Sequence, residues 1–419
     1  MRHLVTAASA AILFSSACGP SPAAAPTQAT APTPNATITS QSPSPNASPA
    51  AKPSPAASAA ASPSAAASPA AVASPVAQQA VLPAPSSPQV SGGKKIALLL
   101  PESQTTRYES QDRPNFQAEL QKICADCQLL YSNANQDASA QQAQAEAALT
   151  NGANVLVLDA VDGAAAAVIA DRAHQLNVPV IAYDRLITGT SNVQYYISFN
   201  NVQVGVLQAT ALLQALAGVA SPQLVMINGS PTDNNAAQFK QGAHSVLDGK
   251  VTIAREYDTP DWSPAQAQAE MEQALTAVNN RVDGVYAAND GTAGGAIAAM
   301  LSAGVSPWPP VTGQDAELTA IQRILVGQQY MTVYKAIAPE AQNAAILAFD
   351  LATSTAVPAS ATQGATTNNG STSVPSILLT PVSVTRSNIQ STVVADGFWT
   401  ATQICTIDYA AACAQAGVR

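Results

Sequence analysis

The chain has 419 residues and a formal net charge of −9, with no cluster of Lys or Arg. Phosphate binding needs clustered cations, so nucleic acid is excluded as a partner. His3 lies in the leading segment while His174 and His244 fall inside expected helices, which argues against a Ser-His-Asp triad, and no glycine-rich phosphate loop follows a first strand.

Residues 1–18 read as an export signal: a positive start at Met1-Arg2-His3, an apolar run over 4–14 and small residues ending in Cys18. The run is too short to span a bilayer. Cys18 directly after Ala17 is similar to a bacterial lipobox and implies lipidation, although Ser15 stands where Leu is usual. Residues 19–93 are mostly Ala, Pro and Ser. Such a stretch buries too little to offset roughly 1–2 kcal/mol of backbone ordering entropy per residue, so a disordered tether is expected.

Residues 94–419 are long enough for two lobes with separate cores. The first series reads strand 96–100, a helix ending at 123, strand 129–131, helix 136–149, strand 155–158, helix 164–176 and strands 178–183 and 195–199. The second reads helix 202–216, strand 224–227, helix 235–247, strand 251–257, helix 264–278, strand 284–288, helix 292–301 and strand 311–312. Continuous apolar strands separated by amphipathic helices predict parallel sheets covered on both faces, hence an α/β class with two doubly wound, Rossmann-like lobes. In an exported chain, Cys124 with Cys127 and Cys405 with Cys413 are expected as two local disulfides. The Cys-x-x-Cys spacing also suits a redox motif or half a metal site, but no second such pair or neighbouring His completes four ligands.

In open α/β sheets, ligand groups collect at the carboxyl ends of the strands. Asp184-Arg185, Asp233-Asn234-Asn235, Asp261-Trp262, Asn289-Asp290, Gln314-Asp315 and Lys335 all stand there. Carboxylates accept, Arg and Lys donate and Asn does both, so the set can satisfy the hydroxyls of a neutral polyol, with Trp262 and Tyr108 as planes for its C–H faces. Two other readings stand beside this one. Each Asp or Asn is a helix cap, or Asp233, Asp290 and Asp315 supply the acid and base of an extracellular carbohydrate-acting enzyme or hold a metal. Six such sites, spread over both halves and all at strand ends, favour the polyol.

The segments Ala182-Tyr183-Asp184-Arg185, Tyr196-Ile197-Ser198-Phe199-Asn200, Gly229-Ser230-Pro231-Thr232-Asp233-Asn234-Asn235-Ala236, Asn289-Asp290-Gly291-Thr292, Gly313-Gln314-Asp315-Ala316 and Met331-Thr332-Val333-Tyr334-Lys335 give residues 95–398 a family resemblance. The region resembles the sugar-binding branch of the type I periplasmic binding proteins, and within it the D-xylose-binding receptors. The resemblance implies two lobes joined by a three-segment hinge, with residues 94–199 and 336–357 in the first and 200–335 and 358–419 in the second. It implies that Arg185, Asp233, Asn235, Asn289, Asp315 and Lys335 hydrogen-bond a monosaccharide, with Asp184 beside them and Trp262 on one ring face. Tyr108 occupies the place of the family's second stacking residue, a Trp, with one extra residue before Asp112-Arg113.

The same resemblance implies no catalysis, no cofactor and no metal. It implies a monomer at the outer face of the cytoplasmic membrane or in the periplasm, presenting D-xylose, or a broader range of aldoses including glucose, galactose and arabinose, to an ABC transporter permease with its ATPase. A sensor feeding a chemoreceptor or kinase would use the same fold. A sugar-responsive repressor would carry a DNA-binding helix pair where this chain has its export signal and tether.

Overall fold

The structure, a computed structural model, describes residues 81–85 and 89–419; Cys18, the expected export signal and the expected tether through residue 80 lie outside the described residues. The first lobe runs β1 (Lys95–Leu100), α1 (Arg113–Ile123), β2 (Gln128–Asn133), α2 (Ala138–Thr150), β3 (Val155–Leu158), α3 (Ala167–Gln175), β4 (Val180–Tyr183) and β5 (Tyr195–Phe199). The chain continues through α4 (Asn201–Ala215), β6 (Gln223–Asn228), α5 (Asn234–Leu247), β7 (Thr252–Asp258), α6 (Pro264–Ala277), β8 (Gly284–Ala287), α7 (Asp290–Ser302), α8 (Leu318–Leu325) and β9 (Met331–Tyr334). It ends with α9 (Ile337–Thr353), β10 (Thr366–Asn368), β11 (Ser373–Leu379), β12 (Val382–Thr385), α10 (Ala401–Ile404) and α11 (Ala410–Ala416).

β1 pairs in parallel with both β2 and β3, which explains why its residues 96–100 are all buried and its sequence has no wet face. Alternation sorts the side chains by sheet face. Ile96, Leu98 and Leu100 pack with α1 and α9, while Ala97 and Leu99 pack with α2 and α3. Local signals set the helix ends. Asp137 caps α2 by accepting from the backbone of Ser139 and Ala140, and Gly152, at φ +81, follows its end in the left-handed region. In the second lobe, β6 lies between β7 and β8, all parallel, with α4 and α5 on one face and α6 and α7 on the other. α4 and α5 pack so closely at Gly205 that a Cβ there would stand 1.9 Å from the Phe239 carbonyl oxygen.

Three sequence expectations need correction. Residues 366–379 belong to the first lobe: β11 joins the seven-stranded sheet in parallel beside β5, Ser376 opposite Tyr196, and β10 closes its edge. The third crossing between lobes therefore lies between Leu379 and Val382, after which β12 pairs antiparallel with β9 of the second lobe. The largely alternating burial of β11 is the pattern of a strand with one face on the core and the other toward solvent.

The tether boundary at residue 93 also moves. Leu82 packs on the first-lobe core and donates its N–H to Asn343, Gln89 forms a bridge with Cys124, and Asp126 accepts from the backbone of Ser91 and Gly93. Finally, residues 311–312 make only an isolated bridge, Val311 to Val285, and α8 was not anticipated.

Beyond β12, the tail buries Ile389, Val393, Phe398, Ile404 and Val418, and Trp399 donates to the Ala316 carbonyl at 2.8 Å. Cys405 and Cys413 are bonded to each other within it, and Cys124 is bonded to Cys127 at the end of α1.

Candidate functional site

The carboxyl ends of β4, β6, β8 and β9 converge on a cleft between the lobes with about 280 Å³ of empty volume. All nine ligand-binding residues expected from the sequence line it: Tyr108, Asp184, Arg185, Asp233, Asn235, Trp262, Asn289, Asp315 and Lys335. Thr105, Arg107, Phe239 and Gln314 line it as well. Of these, Gln314 is already named with Asp315 in the sequence, and Arg107 adjoins Tyr108. Thr105 carries no signal beyond its place after β1, and Phe239 lies one helical turn after Asn235.

Local backbone strain marks this region. Asp184, Trp262 and Asp315 have φ of +50, +56 and +97 degrees, and such residues persist only where the surroundings over-determine them. Tyr108 opens a π-helical turn, Tyr108–Asp112, directly ahead of α1 and lines the cleft from it.

From the first lobe, Arg107 forms a buried hub. Its guanidinium donates to both oxygens of Asp112 at 2.9 and 2.7 Å, to Asp184 at 3.1 Å and to Glu340 at 2.7 Å. Tyr183 adds its hydroxyl to Asp112. Burial pushes the Asp184 carboxyl up, but Arg107, Lys335 and Arg185 outweigh it and hold the group at about 2, so it is an acceptor only. Burial pushes Glu340 well above its usual range despite Arg107.

Arg185 donates to the Ala160 carbonyl at 3.3 Å and to the Tyr108 hydroxyl at 3.1 Å. Its Nε stands 3.1 Å from Asp233 of the second lobe and 3.6 Å from Asp159. Burial keeps the Tyr108 hydroxyl protonated, well above its ordinary value.

From the second lobe, Asp233 is both cap and clamp. It accepts from the Asn235 backbone at 2.8 Å and from the Trp262 indole at 3.1 Å. Asn235 donates across to the Asp184 carbonyl at 3.0 Å and accepts from Asn201 at 2.8 Å. Asn289 caps α7 through Thr292 at 2.8 Å. The capping reading is thus true of Asp233 and Asn289 at the same time as their place in the cleft. Lys335 lies 3.5 Å from Asp184 and 3.4 Å from Asp315, and one oxygen of Asp315 has no hydrogen-bond partner among the described residues.

Asp290 does not belong to this set. It is fully buried and accepts from Gln329 at 2.7 Å, Thr332 at 2.9 Å and the Glu317 backbone at 2.9 Å, with burial pushing its carboxyl to about 7. Nor does Asp233 suit an acid–base role, because an amide, an indole and a guanidinium already occupy its oxygens. Cys124, Asp126 and Cys127 cluster closely enough to suggest a metal site, but the two thiols are joined to each other.

A family model described as "Periplasmic binding protein domain" matches residues 96–356. A D-xylose-binding periplasmic protein of Escherichia coli is 38% identical over 309 residues, covering 73% of this chain and 90% of that protein. A multiple sugar-binding periplasmic receptor of Rhizobium radiobacter is 33% identical over 331 residues, covering 74% of this chain and 92% of that one. Among solved structures, a carbohydrate transporter solute-binding protein of Chloroflexus aurantiacus in complex with D-glucose is 30% identical with a TM-score of 0.66, over 75% of this chain and 98% of that one.

Proposed function

The chain belongs to the periplasmic binding protein family, a family of receptors and not of enzymes, and from that premise we propose that it is the extracytoplasmic receptor of an ABC-type sugar importer. It captures a monosaccharide between its lobes and presents the closed form to a permease. The observation that carries this reading is the mixed polar lining of one interlobe cleft. Asp184 and Asp315 accept, Arg185 and Lys335 donate, Asn289 and Asn235 bridge, and the Trp262 indole supplies an apolar plane. Such a set matches hydroxyls that both donate and accept around a ring with C–H faces.

D-xylose is the sugar we assign first, supported by 38% identity to two D-xylose-binding proteins. A broader aldose range is the second reading, supported by the glucose-bound relatives of known structure. Cys18 is the proposed lipid anchor. Calorimetric titration with xylose, glucose, galactose and arabinose tests the receptor reading, with binding in the micromolar range or tighter expected for at least one. Absence of heat with all four would refute it. Incorporation of labelled palmitate, lost in Cys18→Ala, tests the anchor.

A further inference from the structure

Asp159 is the one fully buried acid beside the cleft whose two oxygens both lack a hydrogen-bond partner among the described residues. It directly follows β3, and its nearest cationic atom is Arg185 Nε at 3.6 Å, which lies closer, at 3.1 Å, to Asp233. Asp159, Arg185 and Tyr108 belong to the first lobe, whereas Asp233, the cap of α5, belongs to the second. Separating the lobes therefore removes Asp233 from Arg185 and leaves Asp159 as the adjacent carboxylate on the same rigid sheet. A buried acid with two unpaired oxygens calls for an explanation, and a partner exchanged during closure supplies one.

We propose that Asp159 is a positioning residue for Arg185: it holds the guanidinium in the open first lobe, surrenders it to Asp233 on closure, and takes up a proton from solvent in exchange. This rests on the receptor reading above. The charged and titratable groups facing the pair agree with the direction. Asp159 meets Arg185 and Asp184 from the end of β4 and Arg107, Tyr108 and Asp112 from the turn before α1, while Glu102 from the loop after β1 faces Arg185. With the lobes in contact as they are here, burial, then Asp184, pushes the Asp159 carboxyl well above its usual range, against Arg185 and Arg107. A group that binds its proton more tightly in the closed than in the open form makes closure, and hence sugar affinity, weaker as pH rises through its closed-form value.

The test is calorimetry of the full chain with whichever of xylose, glucose, galactose or arabinose binds, in buffers of different ionisation heat at matched pH. The wild type should take up protons, at most one at Asp159, and lose affinity by up to about tenfold per pH unit as pH rises above the ordinary carboxylate range. Asp159→Asn, isosteric and unable to titrate, should lower the uptake and flatten the profile, and Asp159→Ser serves if the Asn variant does not fold. Zero uptake in the wild type, or undiminished uptake in the variant, overturns the proposal while leaving the receptor reading intact. Failure of all four sugars to bind removes both.

Discussion

Gly229 lies directly under the six-membered ring of Trp262, so that a Cβ at this position would stand 1.9 Å from the nearest ring carbon. The indole is pinned on its other sides by its own N–H, donated to Asp233, and by the edge of Phe239, 6.2 Å away between centroids. Its place in the cleft therefore depends on a hydrogen in place of a side chain one position beyond the buried end of β6.

Gly229→Ala should push the indole off its seat while β6 keeps its pairing. The expected cost is a roughly tenfold loss of sugar affinity, equivalent to about 1.4 kcal/mol. Titration calorimetry reads it directly, and an unchanged dissociation constant would show that Trp262 does not carry the ring.

Arg185→Met keeps the length of the side chain and removes the guanidinium. Hydrogen bonds to charged groups contribute about 1.5–3 kcal/mol each, so a loss on the order of 100-fold or more is expected. Affinity within a few-fold of the wild type would move the pocket elsewhere.

Trp262 is 6% exposed, and its N–H meets Asp233 next to the interlobe ion pair. Indole emission should therefore change when a sugar closes the lobes. The signal should vanish in Trp262→Phe; its persistence there would assign it to Trp308 or Trp399 instead.

Stability should fall between about pH 5 and 7. Asp290 is fully buried and its carboxyl sits at about 7, chiefly through burial, above the usual unfolded value near 4. The folded chain thus binds more protons than the unfolded chain across that window, and stability is lost with rising pH at up to about 1.4 kcal/mol per unit for this one group. Urea unfolding at pH 5, 6 and 7 checks it, a rising midpoint being the contrary result.

The Cys405–Cys413 bond closes a short loop with a sequence separation of 8. In the chain-entropy model such a closure contributes about 2–3 kcal/mol to the ordered tail. Replacing both cysteines by Ser should speed proteolytic cleavage beyond Thr400 without changing sugar affinity, since none of these residues lines the cleft. Equal cleavage rates would mean that Trp399 and Ile404 hold the tail unaided.

The regular alternation of apolar runs such as 155–158 with amphipathic helices made the two-lobed architecture readable, because a strand buried on both faces has no polar positions to spare. The cleft was readable for a related reason. Parallel strands send their carboxyl ends to one edge, so Asp184-Arg185 beyond β4 and Asp233 beyond β6 had to emerge there.

What remained hidden depends on which distant segments meet. β11 returns to pair with β5 because that edge is open, and nothing within residues 373–379 names its partner. Asp290 and Asp315 both look like cleft candidates in the sequence, yet Asp290 is turned inward onto Gln329 and Thr332 while Asp315 faces Lys335. Arg107 gathers Asp112, Asp184 and Glu340 from positions up to 233 residues apart. Strand and helix periodicities are short-range and therefore visible along the chain, whereas the partner of a buried charge is decided only when the lobes assemble and water is excluded around it.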